Sequence, residues 1–321
     1  MAYLSEGALD DVLARFNNLT MSVTETAGQS VHSPAGGFGN WAAGGAEVPY
    51  DVGSDGPPGW PGGRATPDLE LTNPVEYRRR AEAKLRELTL TQTEQEALER
   101  RTRRDREAWF AARRGRITAS VFQRVSNMRP TTPCDSLLEV LLYGAGRELD
   151  TPALRYGRQN EERAIREYER RTGVLVRHPV GLVVHPEHGF LAATPDGWVA
   201  PGLILEVKCP QRAANTPLRE LAAAGGSFCL DRAMKLRRGH PYYGQVQAQM
   251  ACCGARFCDF FVWTPHESEC DRIAFDPDFW QQKIGPVREF FLECLLPEMV
   301  DPRKARGLPY RERRNYRPRR H

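Results

Sequence analysis

Apolar positions change their spacing several times along this chain of 321 residues, and each change predicts an element. Residues 1–72 carry little periodic apolar content and are rich in Gly, Pro, Ser and Ala, as in Gly36-Gly37-Phe38-Gly39 and Gly56-Pro57-Pro58-Gly59. Too few apolar side chains recur there to offset the entropy of ordering, which predicts a largely disordered extension. Tyr3 to Phe16 admits one short helix, a candidate partner-binding segment. From Asn73 the pattern turns helical and charged, with a helix over residues 75–88. A second helix opens at Thr93, whose spacing to Glu96 is that of a capping box, and runs to residue 112. Ile117-Thr118-Ala119-Ser120 then leads into a short helix over residues 121–127.

Thr151-Pro152 and Gly173 are start and stop signals for a long helix between them. On it Leu154, Gly157, Glu161, Ala164, Ile165 and Tyr168 fall on one face, so Glu161 lies in the core-facing stripe. A lone acid there invites a partner, the alternative being a rim carboxylate. Strands follow over residues 180–184, 190–193 and 203–208. A helix from Pro241 ends at Gly254, with Tyr242, Gln245, Gln249 and Cys252 along one side. Residues 259–264 read as a buried strand, and Asp276-Pro277 caps a closing helix to Leu296. This order predicts an α/β (mixed α+β) fold with a central mixed sheet flanked by helices. The organisation is a 1–72 extension, a 73–104 helical lead-in, a 105–300 core domain and a 301–321 basic tail.

The net charge of +4 hides an asymmetry. Residues 1–70 hold nine acids and two arginines, whereas residues 303–321 hold nine basic side chains and one acid. A basic tail suits a polyanionic partner or nuclear import, and a solubilising role is the plain alternative. No apolar run reaches the roughly 18 residues needed to span a bilayer, so no membrane association is expected. The first residues lack the basic-then-apolar pattern of a signal peptide, which favours an intracellular setting, nuclear or cytoplasmic. The eight cysteines (Cys134, Cys209, Cys229, Cys252, Cys253, Cys258, Cys270 and Cys294) form no CxxC pair, so neither a disulfide framework nor a metal cluster is expected. His185-Pro186-Glu187-His188 has metal-ligand letters but reads as a turn between strands.

Candidate chemistry concentrates in Thr194-Pro195-Asp196-Gly197 and Leu203-Ile204-Leu205-Glu206-Val207-Lys208. A turn presents one carboxylate, and alternation along the strand puts Glu206 and Lys208 on the same face with Ile204. Charges on so apolar a strand must be paired or bind metal. Two carboxylates suit a hard divalent cation, and a neighbouring lysine can orient or deprotonate a water, with desolvation and the nearby cations lowering its pKa. That is the layout of a metal-dependent phosphodiester hydrolase.

Five pieces recur in order: Trp109-x3-Arg113-x3-Ile117-Thr118-Ala119-Ser120, Tyr156-Gly157-x3-Glu161-x2-Ala164, Ala193-Thr194-Pro195-Asp196-Gly197, Leu205-Glu206-Val207-Lys208-Cys209-Pro210 and Tyr242-x2-Gln245-Val246-Gln247. Together they resemble the YqaJ-type viral recombinase family, which includes phage lambda exonuclease, within the PD-(D/E)xK nuclease superfamily. The resemblance implies a restriction-endonuclease-like core and a Mg²⁺-dependent exonuclease resecting double-stranded DNA from a 5′ end in recombination or repair, with Mn²⁺ able to substitute. It implies two ions held by Glu161, Asp196, Glu206 and the Val207 carbonyl, with Lys208 as catalytic lysine and Gln245 at the edge of the site. It implies that Arg113 and Ser120 receive the 5′-phosphate, that a single-strand annealing protein is a partner, and that the chain forms a homo-oligomer. An endonuclease on the same fold, or a catalytically silent DNA-binding module, remain the rivals.

Overall fold

The computed structural model describes residues 66–144 and 151–318. The Tyr3 to Phe16 segment and most of the N-terminal extension lie outside the described residues.

Helices α1 (Leu69–Thr72) and α2 (Pro74–Leu88) open the chain. Asn73 caps α2 by accepting from the Glu76 amide, and Tyr77, Ala81, Leu85 and Leu88 make its buried stripe at helical spacing. Two helices, α3 (Gln92–Thr102) and α4 (Arg106–Arg113), replace the single one expected. The capping box belongs to Thr91 and Glu94, not Thr93 and Glu96. Asp105 breaks the run by accepting from the Ala108 amide at 2.8 Å, which offers the backbone a local partner and restarts the helix. Next come β1 (Ile117–Thr118), α5 (Ala119–Ser126), α6 (Asp135–Leu138) with a π turn over Glu139–Tyr143, and α7 (Pro152–Thr172). Gly173 ends α7 at φ 71°, a left-handed conformation that glycine adopts without strain.

Strands β2 (Val183–Val184), β3 (Leu191–Ala193), β4 (Gly197–Ala200) and β5 (Leu203–Lys208) precede α8 (Leu218–Ala224) and α9 (Pro241–Cys253). The chain finishes with β6 (Phe257–Trp263), β7 (Ser268–Ala274), α10 (Pro277–Phe290), a π turn over Phe291–Leu295 and α11 (Leu296–Val300). The strands form two mixed sheets, ordered β1-β3-β2 and β4-β5-β6-β7. In the first β1 runs parallel to β3, and in the second β5 runs parallel to β6. Helices flank the mixed sheets as expected, but the strands divide between two sheets, and the chain passes from one to the other through Thr194-Pro195-Asp196.

Alternation along β5 sorts its side chains. Leu205 and Val207 pack with Phe261 and Trp263 under Ala164, Ile165 and Tyr168 of α7. Ile204 packs with Phe260 and Val262 against Val246 and Met250 of α9. The largest core joins α2, α5, α6, α10 and α11 around Phe122, Phe190, Phe290 and Phe291. Burying such aromatic and aliphatic side chains contributes roughly 1.5–3 kcal/mol each. All eight cysteines are free thiols, and no described helix is long and apolar enough to cross a membrane.

The basic tail is not a free arm over its described residues. Arg303, Arg306 and Arg311 all reach Asp68, and Arg306 and Arg311 also reach Asp301. Arg313 donates to the carbonyls of Met128, Arg129 and Thr132, and Arg314 pairs with Glu293. Arg311 and Arg313 are buried. Over these residues the arginines meet internal partners rather than forming a solvated arm. Residues 69–72, assigned to the disordered extension, form α1, tied down by the Leu69 amide on Asp301 at 3.1 Å.

Candidate active site

The face of β5 turned towards α9 carries Glu206 and Lys208. Glu206 is 2% exposed, and both of its oxygens are engaged. Oε1 accepts from Lys208 Nζ and, at 2.6 Å, from Gln245 Nε2. Oε2 accepts from Gln249 Nε2 at 2.7 Å. Lys208 Nζ also lies 4.5 Å from the centre of the Tyr242 ring, a cation–π contact. Asp196 is clamped to the same strand. Its backbone N–H donates to the Leu205 carbonyl at 3.0 Å, and its Oδ2 accepts from the Val207 N–H at 2.6 Å. The preceding turn is anchored from α4 by Trp109 Nε1, which donates to Thr194 Oγ1 at 3.0 Å.

Glu161 lies on α7 and lines the same cavity of about 540 Å³ as Asp196, Val207 and Lys208. It is exposed, which corrects its expected place in the buried stripe. The stripe is buried only from Ala164 onwards, where Ala164, Ile165 and Tyr168 meet the sheet. Towards its N-terminus the same face, with Leu154 and Gly157, borders the open cavity. A Cβ on Gly157 would meet nothing within 4 Å. Helical spacing thus identified the face, but not where along the helix its cover ends.

The cavity concentrates negative charge. Burial first, then Glu206 and Glu161, raise the Asp196 carboxyl well above the usual range. Glu161 is raised too: its side chain is open to the cavity, but the protein packed around it limits its hydration, and Glu206 adds to the effect. For Lys208 burial opposes the ammonium, but Glu206 and Asp196 outweigh it and hold the pKa above its usual value. The expected lowering counted cations beside the lysine as well as burial, whereas the carboxylates act in the opposite sense. Three carboxylates face one lysine, a surplus that a divalent cation would compensate, and hard oxygen donors suit Mg²⁺ or Mn²⁺. Among the described residues no group of three or more His, Cys, Asp or Glu is already gathered as a ligand cage. Oxygens of Glu206 and Asp196 are occupied by hydrogen-bond donors, so the donor set fits such an ion in chemistry rather than as a finished cage.

Arg113 and Ser120 line a neighbouring cavity of about 580 Å³. The Arg113 guanidinium lies 4.1 Å from the Trp109 ring centre. Burial lowers its pKa to about 10, which leaves it charged at neutral pH. Ser120 is exposed, with its Oγ 3.1 Å from Thr118 Oγ1. Leu154 and Arg158 of α7 line both cavities, so the two share a wall. Gln249 was not assigned to the site from sequence, although its position four residues after Gln245 was the available signal. His185 is buried and His188 half-buried, their rings stack at 4.7 Å, and the Nδ1 of His185 accepts from the amides of Glu187 and His188. They belong to a turn, as their sequence context indicated.

The fold and the site define a nuclease, an enzyme that hydrolyses phosphodiester bonds. Residues 108–256 match the model of the YqaJ-like viral recombinase domain, so the resemblance seen in the motifs holds over that span. An alkaline exonuclease from Laribacter hongkongensis, LHK-Exo, is 27% identical with a TM-score of 0.50, over 63% of this chain and 97% of its own. LHK-Exo in complex with dAMP is 29% identical with a TM-score of 0.49, over 63% of this chain and 100% of its own. A phage-related exonuclease from Haemophilus somnus 129PT is 12% identical with a TM-score of 0.43, over 58% of this chain and 95% of its own. Comparison with curated proteins returns no match.

Proposed function

We propose that the protein is a Mg²⁺-dependent exonuclease that resects double-stranded DNA from a 5′ end in recombination or repair. The observation that carries this reading is the wall shared by the carboxylate cavity and the Arg113–Ser120 cavity. A strand whose terminal phosphate met Arg113 would run past Leu154 and Arg158 and lay an internal phosphodiester against Asp196, Glu206 and Lys208. The similarity to LHK-Exo, an alkaline exonuclease, supports the same class of activity.

The planar guanidinium of Arg113, held on Trp109, offers a bidentate fork to a terminal phosphate, and the Ser120 hydroxyl adds a hydrogen bond. Glu161, Asp196, Glu206 and the Val207 carbonyl would hold the cation. When bound, one or two divalent ions supply positive charge to the phosphoryl and leaving oxygens. Lys208 Nζ, protonated beside Glu206, donates a hydrogen bond that orients a water or a phosphoryl oxygen in line. Gln245 Nε2 steadies the same Glu206 oxygen.

The test is digestion of linear duplex DNA with 5′-phosphate or 5′-hydroxyl ends, with Mg²⁺ or EDTA, beside a closed circle. Loss from phosphorylated ends alone is expected, and Lys208→Ala should reduce turnover on the order of 10²–10⁴-fold. Cutting of the circle would transfer the claim to an endonuclease.

A further inference from the structure

Gln249 lies on α9 four residues after Gln245 and is 1% exposed. Its Nε2 donates to Glu206 Oε2 at 2.7 Å and makes a long contact of 3.5 Å with the Thr194 carbonyl, two residues before Asp196. Its Oε1 is buried and has no hydrogen-bond partner among the described residues. As a packing residue this is a poor choice. A methionine or leucine would fill similar space without orphaning an acceptor in a low-dielectric interior. What the amide adds is its N–H. Glu206 Oε1 already accepts from Lys208 and Gln245, whereas among the described residues Gln249 is the one donor to Oε2. The last torsion of a glutamate side chain is broad. Donors on one oxygen alone would let the carboxylate turn about that torsion, and a donor on each oxygen fixes its plane.

We propose that Gln249 is a positioning residue: it locks the carboxylate plane of Glu206, ties it to the turn bearing Asp196, and thereby sets the cavity's affinity for a divalent cation. The inference rests on the nuclease reading, in which that cation belongs in this cavity. Gln249 does not touch the reacting atoms and acts only through Glu206. Losing an outer hydrogen-bond partner of a metal-ligating carboxylate typically weakens metal binding about 10–100-fold.

The experiment is Mn²⁺ titration of the full chain without DNA, read by the loss of free-ion EPR signal, for wild type, Gln249→Met, Glu206→Gln and the double variant. Thermal midpoints in EDTA report the fold, and Gln249→Leu replaces the methionine variant if that one does not fold. The expected result is Mn²⁺ affinity about 10–100-fold weaker in Gln249→Met with the midpoint nearly kept, and no further loss when it is added to Glu206→Gln. Unchanged affinity in Gln249→Met, or an equal loss in both backgrounds, overturns the inference and leaves the nuclease reading intact. Absence of Mn²⁺ binding by the wild type overturns both.

Discussion

Asp196 shows how much a single residue's role depends on its neighbours. Within Thr194-Pro195-Asp196-Gly197 it is an ordinary turn aspartate. Its Oδ2 is fixed by the Val207 amide and its backbone by the Leu205 carbonyl, so the turn is fastened to the strand that carries Glu206 and Lys208. The pairing of acids and lysine was legible because alternation on β5 is a local rule. The protonation of Lys208 was not, since it depends on how near Glu206 and Asp196 come in three dimensions. His185 and His188 give a prediction at this scale. Burial, with the other imidazole beside it, pushes His185 down to about 3; burial, with Arg288 nearby, pushes His188 down to about 4. Unfolding restores a value near 6.5, so below that pH the unfolded chain takes up protons that the folded chain refuses. Stability should therefore be full above pH 6.5 and fall as the pH drops towards 4, by at most about 1.4 kcal/mol per pH unit for each histidine. Urea unfolding of wild type and of His185→Phe across that range checks this, and the substituted chain should show the shallower fall.

Among the elements, the C-terminal segment departs furthest from its sequence signature. A run of arginines suggests a solvated arm, because composition does not reveal where acids are waiting. Here Asp68 and Asp301 receive Arg303, Arg306 and Arg311, and the Arg303 guanidinium heads the influences that hold the Asp68 carboxyl down at about 2, against its burial. Arg311→Leu would remove a buried charged hydrogen-bond donor but leave Arg303 and Arg306 on Asp68 and Arg306 on Asp301, a loss of about 1.5–3 kcal/mol. Chemical denaturation should report that loss, while the salt dependence of DNA binding should not move. The split of α3 from α4 and the polar edge strand β7 escaped the apolar pattern for related reasons. Asp105 competes with the helix through its own side chain. In β7 only Asp271 and Ile273 are buried, so the strand has little apolar alternation to read.

At the scale of the whole molecule the distinctive arrangement is two cavities with one wall. Arg158 borders both, and on the proposed reading a strand crossing between them would pass it. Arg158→Gln is expected to lower kcat/KM on linear duplex DNA and to reduce the magnitude of the log–log salt slope of binding by about 1. Fluorescence anisotropy across a salt series measures it, and an unaltered slope would remove Arg158 from the path.

The amino-acid sequence by itself determined the helix that carries Glu161, the strand that carries Glu206 and Lys208, the turn of Asp196 and the order in which they come. Those follow from period, caps and alternation, which act over a few residues. Tertiary structure alone decided that Glu161 faces an open cavity, that Gln249 closes on Glu206, that Arg303, Arg306, Arg311, Arg313 and Arg314 meet internal partners and that Arg113 lies next door to the carboxylates. Each of these joins residues far apart in the chain, where burial and the sum of neighbouring charges, rather than local pattern, set the outcome.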